Sequence, residues 1–202
     1  MPRLRIHGFL WGLLVLGILG VTGAYVVSLT RPRLPVISQI HSFSLTNQVG
    51  KGVHEASLKG RPWVANVIFS RCPTQCRKLS RQMQKLQSLV GESARLVTLT
   101  ADPEFDTPEV LERYGRQYEA NPDRWWFLTG NRKEIYRLAI EDLKFTVLET
   151  GTPGGKLEDL FIHSANFVIV DRHGRLRAVV QSEDVNAEEE VVRVLQSLRY
   201  QP

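Results

Sequence analysis

The chain has 202 residues, 43% of them apolar, with a formal net charge of +5 and only two cysteines. That length suits one domain with appendages and enough apolar content for a core, and two cysteines exclude a disulfide-built scaffold. The positive charge is scattered, with no aromatic stacking motif beside it, so it reads as solvated surface and excludes a nucleic-acid-binding patch.

Residues 8–29 run without a charge from Gly8 to Leu29. At about 1.5 Å per residue, a helix of that length spans the roughly 30 Å hydrocarbon core of a bilayer. A cleaved signal peptide is the alternative. Its apolar region is usually about 7–15 residues, and Thr22-Gly23-Ala24 is a poor cleavage site. Residues 1–30 are therefore read as an uncleaved signal-anchor. Arg3 and Arg5 precede the span while Arg31 and Arg33 follow it, so the positive-inside rule leans slightly to amino terminus inside. The expected localisation is the inner (cytoplasmic) membrane, single-pass, with the globular domain on the periplasmic or outer face. Residues 31–39 contain Pro32 and Pro35 and read as an extended tether. The folded domain is expected over residues 40–202.

Phe43 to Thr46 alternates in polarity, Asn47 to Gly50 is a turn, and Val53-His54-Glu55 can pair back as a hairpin. Trp63 to Phe69 is a short apolar run suited to a buried central strand. From Thr74 the spacing turns helical, with Leu79, Met83, Leu86 and Val90 on one face and Gly91 as the stop. Arg95 to Ala101 is a second strand. Thr107 followed by Pro108 predicts a helix start, with Asp106 and Glu109 offering an alternative capping box. That helix runs through Leu111 and Tyr114 toward Asn121-Pro122. Trp125 to Leu128 predicts a strand, and Arg132 to Leu143 a helix. Thr150 to Lys156 is a loop. Asn166 to Val170 and Leu176 to Gln181 are strands joined by the turn Asp171 to Gly174. Asn186 caps a last helix, with Glu189 in the box position. The succession predicts an α/β fold with a mixed sheet.

Both cysteines fall in Ser70-Arg71-Cys72-Pro73-Thr74-Gln75-Cys76-Arg77-Lys78, where the first central strand meets its helix. Open α/β sheets place their sites at that carboxyl edge. A helix amino terminus flanked by Arg71, Arg77 and Lys78 is expected to lower a thiol pKa. With residues i and i+4 on one helix face, both sulfurs can reach a common centre. A disulfide, a redox dithiol, a metal site and a buried thiol pair all remain open. Two thiolates with one imidazole suit copper. Structural zinc wants four ligands, although three-ligand zinc is not excluded by count. The histidines available as a third ligand are His41, His54, His163 and His173, since His7 precedes the anchor. His173 sits in a polar turn. His163 lies between Ile162 and Ser164 just before a strand, where a hydrogen-bonded loop histidine is the alternative.

Taken together, Phe69 to Cys76, the run from Asp102 to Pro108, Leu128-Thr129-Gly130 and His163-Ser164 resemble the SCO/SenC family. The resemblance covers about residues 40 to 199. It implies a thioredoxin-like fold with a central mixed sheet flanked by helices, preceded by an N-terminal transmembrane helix. It further implies a copper (Cu(I) or Cu(II)) metallochaperone that delivers copper to the Cu(A) site of cytochrome c oxidase during assembly. By residue, Cys72, Cys76 and His163 match the family's metal ligands. Asp102 and Asp106 match its acidic pair, read here as loop and capping residues. The expected partners are the copper-site subunit of cytochrome c oxidase and a thiol reductant protein, with the membrane engaged through residues 8–29. The alternative is a thiol–disulfide oxidoreductase in which Cys72 and Cys76 are catalytic and reduce the cysteines of a copper-site apoprotein. Two departures make the loop more positive: Arg77 stands where the family usually has proline, and Thr74-Gln75 are neutral where an acid is common.

Overall fold

The computed structural model describes residues 11–23, 33–149, 161–163, 165–199 and 201, with the backbone alone described for 147–149 and 161–163. Two compact units result, residues 1–33 and 34–202. In the first, residues 11–23 are helical (α1). Among the described residues no helix is long and apolar enough to cross a membrane. Helix α1 covers part of the predicted span, and the rest of that span lies outside the described residues.

The second unit is built on an eight-stranded mixed sheet in the order β1-β10-β9-β4-β5-β6-β2-β3. These strands are β1 (Ser38–Gln39), β2 (Ser44–Asn47), β3 (Gly52–His54), β4 (Trp63–Ile68), β5 (Arg95–Thr100), β6 (Trp125–Thr129), β9 (Asn166–Val170) and β10 (Arg175–Gln181). A separate antiparallel pair joins β7 (Val147–Glu149) to β8 (Phe161–His163). All six residues of β4 are buried, as expected of a strand covered on both faces. It runs parallel to β5 and antiparallel to β9. Buried polar residues of the centre bond one another, although Asn66 Nδ2 has no hydrogen-bond partner. Thr98 Oγ1 donates to Asn66 Oδ1 at 2.7 Å, and Trp125 Nε1 donates to Thr98 Oγ1 at 2.9 Å, which ties β4, β5 and β6 together through side chains.

The helices are the single turn α2 (Glu55–Leu58), then α3 (Gln75–Val90), α4 (Pro108–Arg116), α5 (Arg132–Arg137) and α6 (Ala187–Leu198). The apolar face of α3 places Leu79, Met83 and Leu86 in the core at 1% exposure or less, each worth about 2 kcal/mol in apolar burial. Gly91 ends the helix with φ +52°, a conformation that favours glycine, and its N–H bonds the carbonyl of Gln87. Helix α4 meets α3 through Tyr114 Oη and Ser80 Oγ at 2.8 Å. Helix α3 is also tied to the connection between β10 and α6, where Gln82 Nε2 donates to the Ser182 carbonyl at 2.8 Å.

Several local expectations change. Thr107 caps α4 as expected, its side chain accepting from Val110 N–H with Pro108 in the first turn. Asp106 does not cap, because its carboxylate is turned inward. Asn186 precedes α6 but makes no side-chain cap bond. Three acids, Glu188, Glu189 and Glu190, instead face the positive end of that helix dipole. The helix expected over 132–143 is α-helical only to Arg137 and widens into a π-turn over Leu138–Asp142. The predicted loop over 150–156 lies outside the described residues.

Part of the stretch read as a tether is built into the folded unit. Ile37 N–H bonds the Leu176 carbonyl at 2.8 Å, and Ser38–Gln39 pairs with β10. The buried Arg177 guanidinium donates to the carbonyls of Pro35 and Leu34 at 3.0 and 2.6 Å, while its Nη1 holds Asp171 at 2.7 Å.

Candidate metal centre

Strand β4 ends at Ile68, and the chain turns at once, with Cys72 N–H bonding the Phe69 carbonyl at 3.1 Å. Helix α3 then begins at Gln75, with Thr74 at the cap position but no side-chain cap bond. Cys72 therefore sits in the turn and Cys76 in the first turn of the helix. Both are buried, and no disulfide joins them. Their side chains hydrogen-bond to one another. That contact, together with burial, drives the Cys76 thiol far above its ordinary range, and a backbone hydrogen bond from Phe69 offsets only part of the effect. The expectation of a lowered thiol pKa is corrected for Cys76. Proximity of the two sulfurs and exclusion of water both favour its protonated form.

The flanking cations do not act alike. Arg71 is engaged by the acidic segment, its Nη2 lying 2.5 Å from Asp102 Oδ2 and its guanidinium 4.2 Å from the centroid of the Phe105 ring. Arg77 and Lys78 are exposed on the outer side of α3.

The acidic pair has roles that a cap-and-loop reading missed. Asp106 is fully buried and accepts from the Ser70 backbone N–H at 3.0 Å, from Ser70 Oγ, and from Thr100 Oγ1 at 2.5 Å. Burial raises its carboxyl pKa, against the lowering from those three donors. With Asp102 on Arg71, the segment 102–106 fastens the residues just before Cys72. On the far side, Tyr114 Oη lies 3.4 Å from the Cys76 carbonyl oxygen. The signal for Asp106 in the sequence was weak, since its partner Ser70 is 36 positions away.

Of the candidate third ligands, His41 is engaged elsewhere, its Nδ1 lying 2.7 Å from Asp142 Oδ1. His54 is an exposed residue at the start of α2, its N–H bonding Ser57 Oγ at 3.2 Å. His173 Nε2 accepts from Arg172 Nε at 3.1 Å. His163 ends β8, where its backbone pairs opposite Val147; its imidazole lies outside the described atoms. Among the described residues, no cluster of three or more His, Cys, Asp or Glu is grouped as a metal site. The structure thus brings Cys72 and Cys76 together. As donors, two adjacent thiols that can ionise suit a soft ion.

The family model described as SCO1/SenC matches residues 36–199, nearly all of the second unit. The chain belongs to the SCO1/SenC family. A relative named SCO1 protein homolog, from Bacillus subtilis strain 168, is 35% identical over 146 residues, covering 70% of this chain and 73% of that protein. BsSco, a member of the Sco family of cytochrome c oxidase assembly proteins in which a disulfide switch is identified, superposes with a TM-score of 0.72. It is 27% identical, covering 85% of this chain and 99% of that one. Bradyrhizobium japonicum ScoI, solved with copper bound, gives a TM-score of 0.64 at 24% identity, over 80% and 99% of the two chains. The fold of this chain is accordingly the α/β thioredoxin-like fold of the SCO1/SenC family, with its mixed sheet and helical layers.

Proposed function

We propose that this SCO1/SenC chain is a membrane-anchored copper-binding protein of cytochrome c oxidase assembly. It holds one copper ion through Cys72, Cys76 and His163 and passes it to the oxidase subunit that carries the Cu(A) site. The observation that carries this reading is the pair of reduced, buried, mutually hydrogen-bonded thiols at the mouth of α3. Soft sulfur prefers Cu(I), and an added imidazole lets the set accept Cu(II) as well. Both thiols must ionise to bind, so loading releases protons and weakens as pH falls. Residues 8–29 anchor the chain in the inner membrane, with the folded unit on its outer face.

Copper loading of the reduced full-length chain tests the ligand set. His163→Ala should lose the Cu(II) absorption and EPR features of the wild type while its circular dichroism stays the same. An unchanged EPR spectrum and stoichiometry in the variant would sink the assignment of His163.

The thiol contact also favours a second reading, a thiol–disulfide oxidoreductase. Cys72 and Cys76 would be oxidised to a disulfide as two electrons and two protons reduce a disulfide of the copper-site apoprotein. A separate thiol reductant protein would then restore the dithiol. This role needs both cysteines but not His163, so His163→Ala would keep full reductase activity.

A further inference from the structure

Beside the cysteine loop, a groove of about 640 Å³ separates α3 from the β10–α6 connection. That volume falls in the range of ligand sites. Its rim starts at Pro73 and Thr74, between the two cysteines. One wall is cationic: Arg77, Lys78, Arg81 and Lys85 all project from α3. Lys85 lies 3.7 Å from Glu188. Among the described residues, Arg77, Lys78 and Arg81 form no ion pair. The opposite wall carries Glu183 and Asp184, with Val185 standing 94% exposed at its lip. The walls are held apart on a fixed floor, where Gln82 donates to the Ser182 carbonyl. Gln82 Oε1 at that floor is a buried acceptor without a hydrogen-bond partner.

We propose that this groove seats an extended acidic segment of the protein that exchanges copper or electrons with Cys72 and Cys76. The proposal rests on the reading of the cysteine pair as an exchange site. Arg77, Arg81 and Lys85 recur every fourth residue, about 6 Å apart along the helix. Alternate side chains of an extended chain lie about 6.8 Å apart on one side. Acids at alternate positions therefore meet successive cations of α3. The carboxylates across the groove repel a body that is anionic all round, such as nucleic acid or polyphosphate, and orient a peptide with its acids toward α3. A peptide also brings backbone N–H groups, the donors that the orphaned Gln82 acceptor lacks. A segment seated there has one end against Pro73, immediately beside Cys72.

The test uses the full-length reduced chain in detergent micelles and a fluorescent peptide of about eight residues alternating Glu and Thr, long enough to line the wall. Anisotropy should show binding that weakens with added salt and about tenfold weaker binding of the matching Gln–Thr peptide. Arg81→Glu with Lys85→Glu, both exposed, should cost about tenfold for the Glu peptide and create affinity for a Lys–Thr peptide. That gain is a readout that an unfolded variant cannot give. Equal binding of the Glu and Gln peptides, an unaltered preference in the double variant, or displacement by tripolyphosphate as effective as by unlabelled peptide would each overturn the proposal. Copper loading of the same wild-type sample separates the two failures. Loading without peptide discrimination removes the groove alone, whereas no loading removes the exchange site beneath it.

Discussion

Asp106 is a fully buried carboxyl, and burial raises its pKa. In the unfolded chain it ionises near about 3.9. Between that value and the higher folded one, the native state holds a proton that the unfolded chain has released. Stability contributed by Asp106 is thus complete at low pH and declines as pH rises through the folded pKa. Asp106→Asn removes this titration. The difference in unfolding free energy between variant and wild type should move in favour of the variant as pH climbs from about 4 to neutrality. Urea unfolding at both ends of that interval measures it, and a flat difference would mean that Asp106 ionises normally in the fold. At the same scale, the cysteine pair was legible in the sequence because its spacing is local. The partners that hold the loop were not: Ser70 with Asp106 and Arg71 with Asp102 meet only when β4 and β5 lie side by side.

Helix ends offer a paired comparison. Thr107 accepts from the α4 backbone, whereas Asn186 makes no side-chain cap bond at α6. Thr107→Ala should lower unfolding stability by about 1 kcal/mol. Asn186→Ala should change it by less than about 0.5 kcal/mol. Thermal or urea unfolding of the two variants checks the contrast, and equal losses would contradict it. Strands β4, β5, β6, β9 and β10 and helix α3 could be read from periodicity because each is long enough to show its period. Strand β1 could not, since two residues following Pro35 carry no pattern and are recruited by the free edge of β10. The short β7–β8 pair was missed for the same reason. The change at Leu138 from α to π geometry leaves the apolar spacing almost intact, so the sequence reads through it as one helix.

At the scale of the whole domain, Arg177 joins the start of the folded unit to its end, contacting Leu34, Pro35, Asp171 and Gln201. Arg177→Leu would leave the buried Asp171 with Arg175 as its remaining cation. The loss should approach about 3 kcal/mol, the lower range for breaking a buried pair. Residues 34–39 should become the first site of protease cleavage in the folded unit, read by mass spectrometry. Survival of that segment at wild-type rates would show that the β1 pairing alone retains it. The sheet also has a notable economy at its borders. Its outermost strands, β1 and β3, are two and three residues long. Strand β1 pairs only with Arg175 and Leu176 of β10, so residues 178–181 carry that side of the border themselves, whereas on the β3 side the border is short and offers little template on which another chain could add itself as a further strand. At the β3 border a partner is therefore met by side chains more than by main-chain pairing. Recognition at that border is then open to change one surface residue at a time, without disturbing the scaffold that carries the cysteines.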